Sequence, residues 1–390
     1  MRSLRIGIDA HILGKQKGGV ETCLFAMVRT LARRDSAHEY FIYVTGKSSL
    51  KASGLPPNFH LRRLSMENPW IGRLVLLPYW YRRDRLDLIH VQRAIAPWGC
   101  GTTVLHLHDA IHATFPSLFP KWKALIFTRL FRWSGRRAAH VITPSECARA
   151  DLVRCYAIDP AKISVVPNGV DVSAFMGPVP ESDGVVARRF GIRGSYLIHI
   201  GAIARNKNIE LLVDAFRTFH RQHPAFKLVI TGKPTSETRG GYLQELQERV
   251  AASNLSGKVV FTGYLPDGDL RSLLSGARML VFPSLAEGFG FPPLEAMAAG
   301  VPSITADTPI SHEIYGDAVL RVAPNDASDL AAKMTSLARD SQLAARCVER
   351  GRSRLQNYRW EDSCSRLIEV YEQVCGRKLM DEASVAIPQV

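Results

Sequence analysis

The sequence predicts an α/β protein of two doubly wound domains, each with a parallel sheet covered by helices, facing a central cleft. Short apolar runs alternate with helical patterns along most of the 390 residues, as they do in βα units. Residues 172–194 lose this periodicity and contain the Gly, Pro and Ser of a linker. We therefore predict one domain over residues 1–175 and a second over residues 186–365.

The predicted strands are short runs rich in β-branched and aromatic residues. In the first domain they are residues 4–8, 40–45, 88–91, 103–108, 140–143 and 163–166. In the second they are residues 196–200, 227–231, 258–262, 279–283, 303–306 and 319–322. Amphipathic helices are predicted between them, for example over 209–220 and 242–252, and a last helix runs from 360 to about 375.

Charge is distributed unequally along the chain. Residues 1–175 contain 25 Lys and Arg against 12 Asp and Glu, whereas residues 176–390 contain 25 against 24. This asymmetry predicts an anionic partner for the first half: acidic lipid headgroups, a lipid diphosphate or nucleic acid. A basic surface that only improves solubility is the alternative.

Cysteines and apolar runs restrict the compartment. The seven cysteines have no paired spacing, which favours reduced thiols in the cytoplasm. The apolar runs are too short to cross a bilayer, and the charged start of the chain resembles a strand more than a signal peptide. We expect a cytoplasmic protein, either free or peripheral on the cytoplasmic face of the inner membrane.

The most informative segment is residues 286–300, in which Glu287 and Glu295 stand on either side of a glycine-rich stretch. A strand is predicted before it, and Pro292 and Pro293 suit the first turn of a helix that Gly300 can end. Free N–H groups at such a helix start attract phosphates. The ligand expected here is phosphorylated and rich in hydroxyls; alternatively, Glu295 only complements its helix dipole.

With residues 300–305 and 312–314, this segment resembles the retaining family 4 glycosyltransferases, which have the GT-B fold. The resemblance implies that Glu287 binds the donor sugar and helps catalysis, and that Glu295 holds the ribose. It also implies that residues 366–390 pack back on the first domain. The remaining donor contacts that it implies in this segment are Gly288, Phe289, Gly290, Phe291 and Leu294.

A second phosphate signal follows the strand predicted at 196–200. Arg205 and Lys207 lie just before a helix, and both cations suit a diphosphate leaving group. The alternative is a solvated turn. The family has a Lys-Asn helix start here, which implies a catalytic and donor-binding Lys207. Many members have arginine where this chain has Ala202 or Asn206. The resemblance therefore supports a donor-binding role for Arg205 less strongly than for Lys207.

Gly18 and Gly19 lie between the first strand and a helix, without the Walker or Rossmann spacing. Tandem glycine lets backbone amides approach a ligand. The pair alone is weak evidence, but the family has a Gly-Gly turn here against the donor diphosphate and the acceptor, so both are candidate donor contacts.

His106 and His108 are two apart on a predicted strand and share one face. A zinc site is conceivable, although no further ligand cluster is apparent. Alternatively, His108 and Asp109 end the strand and point into the cleft. The His-Asp element resembles that of the family, which implies a catalytic His108 near the donor sugar and Asp109 as an acceptor contact. At residues 267–269, Asp-Gly-Asp suggests a metal motif, but helix capping is favoured because a helical run follows.

Residues 70–83 and 121–133 mix aromatic, aliphatic and cationic side chains. They suit either helices packed on the sheet with solvated basic faces or docking on an anionic bilayer. Their place in the basic half favours the membrane surface.

The resemblance implies a metal-independent retaining glycosyltransferase without a cofactor. It further implies transfer of a hexose to a lipid-linked or polysaccharide glycan, and the resemblance around residues 288–293 favours mannose from GDP-mannose. A GT-B epimerase and a non-enzymatic module that binds anions or nucleic acid are the alternatives. Nucleic acid is not expected as a partner, because it would leave the glutamate segment unexplained.

Overall fold

The computed structural model describes residues 2–15, 18–46, 48, 50–64, 75–96, 98, 100–176, 184–235 and 241–385, with side chains up to residue 376. The chain divides into two compact units. Unit 1 comprises Met1–Pro116, Lys121–Gly169 and Trp360–Val390. Unit 2 comprises Ser117–Pro120 and Val170–Arg359.

Unit 1 contains a sheet of seven parallel strands in the order β3-β2-β1-β4-β5-β6-β7. The strands are β1 Arg5–Asp9, β2 Glu39–Val44, β3 Phe59–Arg63, β4 Leu88–Gln92, β5 Thr103–His106, β6 His140–Thr143 and β7 Ile163–Val165. The helices are α1 Gly19–Arg34, α2 Leu77–Arg83, α3 Ile111–Thr114, α4 Lys121–Arg137 and α5 Glu146–Tyr156.

Unit 2 contains a sheet of six parallel strands in the order β10-β9-β8-β11-β12-β13. The strands are β8 Tyr196–Ile200, β9 Lys227–Thr231, β10 Val259–Gly263, β11 Met279–Phe282, β12 Ser303–Ala306 and β13 Leu320–Val322. The helices are α6 Ser173–Met176, α7 Val185–Arg189, α8 Ile209–Gln222, α9 Gly241–Ala252, α10 Asp267–Ser275, α11 Phe291–Ala298, α12 Pro309–Tyr315, α13 Ala327–Arg339 and α14 Ser341–Leu355.

The central strands of both sheets are buried along their whole length. All residues of β4, β8 and β11 are buried, as expected for parallel strands with helices on both faces. In unit 2, one cluster of buried side chains covers one face of the sheet and a second cluster covers the opposite face. The predicted fold class, two doubly wound α/β domains, is confirmed.

The predicted strands are found within two residues of their expected ends, but β3 was not predicted. Its sequence, Phe-His-Leu-Arg-Arg, has two apolar residues and is only partly buried. It lies at the edge of the sheet, where charged side chains are common because they discourage further pairing. A weak apolar pattern is the expected signature of such a strand.

The last helix, α15 Trp360–Val385, belongs to unit 1 and not to the unit before it in sequence. It packs against α1, where the Cys364 thiol lies 3.8 Å from the Met27 carbonyl oxygen. The Ser363 hydroxyl donates to the Pro167 carbonyl at 2.5 Å. Unit 1 is therefore completed by residues that follow all of unit 2. None of the helices described here is both long and apolar enough to span a bilayer.

Candidate active site

Each sheet reverses its winding direction between two neighbouring strands, and ligands of such sheets bind outside the carboxyl ends of the strands at this point. In unit 1 the reversal lies between β1 and β4, and in unit 2 between β8 and β11. The loop containing Lys207 follows β8, and the loop containing Glu287 follows β11. Both segments that the sequence singled out in unit 2 thus leave the sheet at its reversal.

Lys207 and Glu287 form an ion pair between these two loops. Each side chain is only 14% exposed. Two hydrogen bonds join the loops: Leu285 N–H donates to the Asn206 carbonyl at 2.8 Å, and the Asn206 amide donates to the Ala286 carbonyl at 3.1 Å. Little screening by solvent is expected for a pair at this depth. The pair places one cation and one carboxylate at a fixed point of the edge.

The glycine-rich loop between Glu287 and α11 is held from beneath by Tyr315. The buried Tyr315 hydroxyl donates to the Gly290 carbonyl at 2.9 Å. Gly290 has φ +81°, and a Cβ at this position would lie 2.1 Å from the Tyr315 oxygen. Glycine is required here on both counts. The Phe289 ring is buried against Phe291 and Tyr358, so only its backbone is available to a ligand.

Helix α11 begins at Phe291, with Pro292 and Pro293 in its first turn, as predicted. Proline has no N–H, so the donors at this helix start are restricted to the amides of the glycine loop and of Phe291. Leu294 is fully buried and packs inside unit 2. Any contact of Leu294 with a donor would therefore involve its backbone.

Glu295 lies on α11, partly buried, with Asp267 and Arg271 of α10 nearby. Burial and the negative charge of Asp267 raise its pKa to about 7, an effect that Arg271 opposes. The carboxyl group therefore changes its protonation near neutral pH. Helix capping by residues 267–269 was the wrong interpretation: Pro266 is the N-cap residue, and Asp267 and Asp269 both lie in the first turn.

Arg205 is not part of the Lys207–Glu287 pair. Its guanidinium donates to both carboxylate oxygens of Glu245, at 3.0 and 2.8 Å, and lies 4.8 Å from the centre of the Tyr242 ring. Glu210 completes the group at 3.5 Å. To bind a phosphate, Arg205 would have to exchange these carboxylates for it.

In unit 1, Gly18 is the N-cap residue of α1, and the helix begins at Gly19 directly after the loop from β1. The Gly18 carbonyl accepts from Glu21 N–H at 2.9 Å, and the Glu21 carboxylate accepts from Gly14 N–H at 2.6 Å. The two glycines thus lie at a helix start beside the reversal of the sheet. Gln16 and Lys17, in the same loop, lie outside the described residues.

His108 lies two residues beyond the end of β5, at the same edge of unit 1. Its Nε2 is 3.0 Å from the Gln92 amide oxygen, and its ring stacks on that of His106 with centroids 3.9 Å apart. Burial, with the positive charge of Arg93 and with His90, lowers the pKa of His108 to about 3. His108 is therefore neutral at physiological pH. Asp109 accepts from the N–H of Ile111, the first residue of the short helix α3, at 3.0 Å; the N-cap residue of this helix is Ala110.

The structure places one further possible metal ligand, Cys23, beside the two histidines. The thiol of Cys23 and the rings of His106 and His108 offer ligand atoms within 4.8 Å of one another. The thiol instead donates to Asn168 Oδ1 at 2.9 Å, and burial raises its pKa far above the ordinary value. In this arrangement the thiol is protonated, so a metal could bind here only if the thiol lost its proton and this hydrogen bond. That no metal is bound stays a prediction.

Two known protein families match this chain, one for each unit. Residues 17–174 match the family described as Glycosyltransferase Family 4, and residues 191–354 match Glycosyl transferases group 1. The chain is a glycosyltransferase. The geometry above therefore describes the carboxyl edges of the two sheets of a glycosyltransferase.

Curated relatives of this glycosyltransferase include several mannosyltransferases. The phosphatidyl-myo-inositol mannosyltransferase of Mycolicibacterium smegmatis is 27% identical over 398 residues, covering 98% of this chain and 97% of that protein. O-antigen chain mannosyltransferase B of Escherichia coli is 27% identical over 296 residues, covering 75% of this chain and 76% of that protein. Among solved structures, Anabaena HepE in complex with UDP and glucose is 18% identical with a TM-score of 0.74, covering 95% of this chain and all of HepE. That likeness shows the GT-B fold.

Three residues that support the edges of this glycosyltransferase were not found from the sequence: Tyr315, Gln92 and His199. His199 is buried on β8, and its Nδ1–H donates to the Val281 carbonyl at 2.9 Å. Burial lowers the pKa of His199 to about 4. A polar residue in a buried strand was the available signal, but the sequence does not show which groups it meets.

Proposed function

We propose that this enzyme transfers a mannosyl residue from GDP-mannose to a hydroxyl of a lipid-linked or polysaccharide glycan, with retention at the anomeric carbon. The observation that carries the proposal is the Lys207–Glu287 pair beside the glycine loop at the reversal of the unit 2 sheet. Its position suits a ligand with a diphosphate on one side and sugar hydroxyls on the other. The mannosyltransferases among the relatives support mannose as the sugar.

During transfer, the bond between the anomeric carbon and the diphosphate oxygen breaks, and its electron pair leaves with the diphosphate. Lys207 and the amides of residues 288–291 stabilise the negative charge that develops there. Groups arranged before the reaction supply such stabilisation without reorganising, and removal of one such group costs on the order of 10²–10³ in rate. The acceptor oxygen bonds to the carbon on the same face, and its proton passes to the departing phosphate oxygen.

Glu287 binds sugar hydroxyls and stabilises the electron-poor anomeric centre, while Glu295 holds the ribose. The two carboxylates do not act as a glycosidase pair, which requires an acid and a base across the scissile bond. In this scheme Glu287 also holds Lys207 in place until the diphosphate arrives. Arg205 and the turn at Gly18 and Gly19 add further donor contacts, His108 contacts a sugar hydroxyl, and Asp109 contacts the acceptor.

No metal ion is needed in this scheme, because lysine and backbone amides neutralise the diphosphate. EDTA is therefore expected to leave the initial rate of transfer unchanged. The measurement compares rates with EDTA alone and with EDTA plus excess Mg²⁺. Strong inhibition that Mg²⁺ reverses would show that a cation does the work assigned to Lys207.

A screen of nucleotide sugars tests the donor. The full chain is heated with GDP-mannose, UDP-glucose and the corresponding free nucleotides, and the shift in Tm is compared with transfer of labelled sugar to a synthetic polyprenyl diphosphate-linked glycan. We expect the largest shift and transfer from GDP-mannose, and an α-linked product by NMR of the anomeric proton. A preference for UDP-glucose would instead favour the donor suggested by HepE, which was crystallised with UDP and glucose. No stabilisation by any nucleotide sugar would contradict the proposal.

An anionic membrane is the proposed partner of unit 1. On α4, Trp122, Leu125 and Ile126 are 60, 51 and 53% exposed. Lysines and arginines of the same helix surround them, and Lys123 Nζ lies 5.6 Å from the Trp122 ring centre. Exposed apolar side chains mixed with cations are typical of helices that lie at the headgroup level. Residues 70–74 of the other predicted segment lie outside the described residues.

Vesicle flotation tests this partner. The chain is expected to float with vesicles containing phosphatidylglycerol and to stay in solution with pure phosphatidylcholine. Changing Trp122 and Ile126 to Ala should reduce flotation, whereas Tyr264→Ala, which removes an exposed aromatic ring of unit 2, should not. Equal flotation with neutral vesicles, or no effect of the α4 changes, would contradict this assignment.

A further inference from the structure

Buried polar side chains connect His108, which follows β5, to Tyr371 of the last helix. Gln92 and His90, both on β4, lie between them. The Gln92 amide oxygen lies 3.0 Å from His108 Nε2, and the Gln92 amide nitrogen lies 3.3 Å from His90 Nε2. His90 Nδ1 in turn lies 2.6 Å from the Tyr371 hydroxyl. Gln92, His90 and Tyr371 are at most 1% exposed. The four side chains therefore form one hydrogen-bonded relay, in which solvent takes little part.

The amide of Gln92 gives this relay a direction. An amide oxygen only accepts hydrogen bonds and an amide NH₂ only donates them. His108 Nε2, which faces the oxygen, must therefore carry a proton. His90 Nε2, which faces the NH₂ group, must be bare, so the proton of a neutral His90 is on Nδ1 and is donated to Tyr371.

Both histidines are neutral in this surrounding. Burial is the main cause that lowers the pKa of His90 to about 4 and that of His108 to about 3. A neutral imidazole has one protonated and one bare nitrogen. With the proton of His108 on Nε2, the bare nitrogen is Nδ1, and it can only accept a hydrogen bond.

We propose that Gln92, His90 and Tyr371 are positioning residues that hold the proton of His108 on Nε2, so that Nδ1 accepts a hydrogen bond from a hydroxyl of the sugar substrate. The inference rests on the proposed function, in which His108 contacts the substrate. It adds that a residue of the last helix, 263 positions from His108, sets which hydrogen bond this histidine can make.

The protonation of His108 can be measured without turnover. In the ¹⁵N-labelled full chain, the imidazole nitrogen shifts distinguish a protonated from a bare ring nitrogen, and a His108→Gln variant assigns the His108 signals. We expect the wild-type protein to show protonated Nε2 and bare Nδ1. A protonated Nδ1 in wild type would overturn the proposal whatever the enzyme transfers.

Two variants test whether the relay is the cause. Gln92→Met removes both amide contacts, and Tyr371→Phe removes only the terminal hydroxyl. Each should make the two His108 tautomers exchange and lower kcat, by about threefold for Gln92→Met, which is less than one whole hydrogen bond because part of the population keeps the productive tautomer. The Kd for GDP-mannose should change much less, because unit 2 binds the diphosphate.

Tyr156→Phe is the matched control, since its buried hydroxyl has no hydrogen-bond partner among the described residues of unit 1. It should leave both the spectrum and kcat unchanged. An unaltered His108 spectrum in Tyr371→Phe and Gln92→Met would overturn the relay. If Gln92→Met fails to fold, Tyr371→Phe and the wild-type spectrum still decide. Absence of glycan transfer with the expected spectrum would remove the proposed function but leave the tautomer assignment intact.

Discussion

The two units share one architecture but differ in the chemistry at the carboxyl edge of the sheet. Unit 2 presents an ion pair, Lys207 with Glu287, and a carboxyl group that titrates near neutrality, Glu295. Unit 1 presents a neutral histidine, His108, held by uncharged side chains. The charged groups therefore lie in unit 2, where a diphosphate is expected to bind. The directional hydrogen-bonding group lies in unit 1, where hydroxyl groups are expected. One fold supports both because the strand ends fix the backbone, while the loops and buried partners choose the chemistry.

Removing either member of the ion pair should have the largest effect. Lys207→Ala and Glu287→Ala are each expected to lower kcat/KM on the order of 10²–10³-fold, because a charge fixed at the diphosphate or sugar is lost. Steady-state kinetics with GDP-mannose measures this, and circular dichroism checks the fold. Lys333→Ala, at an exposed lysine 3.9 Å from Asp329, is the matched control. Wild-type turnover in either variant would refute the charged role of this edge.

A substitution at Gly290 tests how Tyr315 supports the glycine-rich loop between Glu287 and α11. Gly290→Ala should lower the free energy of unfolding by about 2–4 kcal/mol, because a Cβ is unfavourable at this φ and meets the Tyr315 oxygen. Gly257→Ala, at φ +72° with open space around it, should cost only about 1–2 kcal/mol. Urea denaturation compares the two. Equal losses would mean that Tyr315 does not shape the loop.

At the neutral edge, a smaller effect is expected. His108→Asn should lower kcat/KM about threefold to tenfold, since one hydrogen bond between neutral groups is lost. His60→Asn, on the edge strand β3, should leave it unchanged. A loss as large as that of Lys207→Ala would mean that His108 acts as a charged group or a base, and the contrast between the edges would fail.

The pKa of Glu295 predicts a modest pH dependence of donor binding. Because this pKa is raised from 4.5 to about 7, the ionised form of Glu295 becomes populated only as pH rises. In the proposed scheme this form accepts from the ribose hydroxyls, so affinity for GDP-mannose should increase severalfold from pH 6 to 8. The contribution of this group to folding has the opposite trend: it is most favourable below pH 4.5 and declines as pH rises through 7.

Calorimetric titrations of GDP-mannose at several pH values test this dependence. Asp267→Asn removes a charge that raises the pKa and should move the transition to lower pH. Asp269→Asn, whose carboxylate pairs with Arg189 at 3.0 Å, should not move it. A flat profile in the wild-type protein would show that the protonation of Glu295 does not control binding.

The sequence was sufficient for the parts of this enzyme that depend on neighbours along the chain. Strands, the helix start at Pro292 and the glutamate loop are encoded in runs of a few residues, so periodicity and proline preferences locate them. Lys207 and Glu287 were each singled out because they follow predicted strands, but only the structure shows that these strands are neighbours and that the two side chains form an ion pair.

The missed residues depend on distant contacts. Tyr315 lies 25 positions from the carbonyl it supports, and Tyr371 lies 281 positions from His90. A tyrosine in a helix looks like any other core residue until its hydroxyl meets a partner. The capping role given to residues 267–269 failed for a local reason, because Pro266 occupies the N-cap position.

The position of the last helix has a consequence for how the molecule is made. A ribosome delivers residues 360–376 only after every residue of unit 2 has been synthesised. Until then α1 lacks the helix that packs on it, and His90 lacks the hydroxyl of Tyr371. A chain that stops early can contain the whole charged edge and still leave the histidine edge unfinished. Unit 1 can therefore complete its folding only after residues 360–376 have been synthesised.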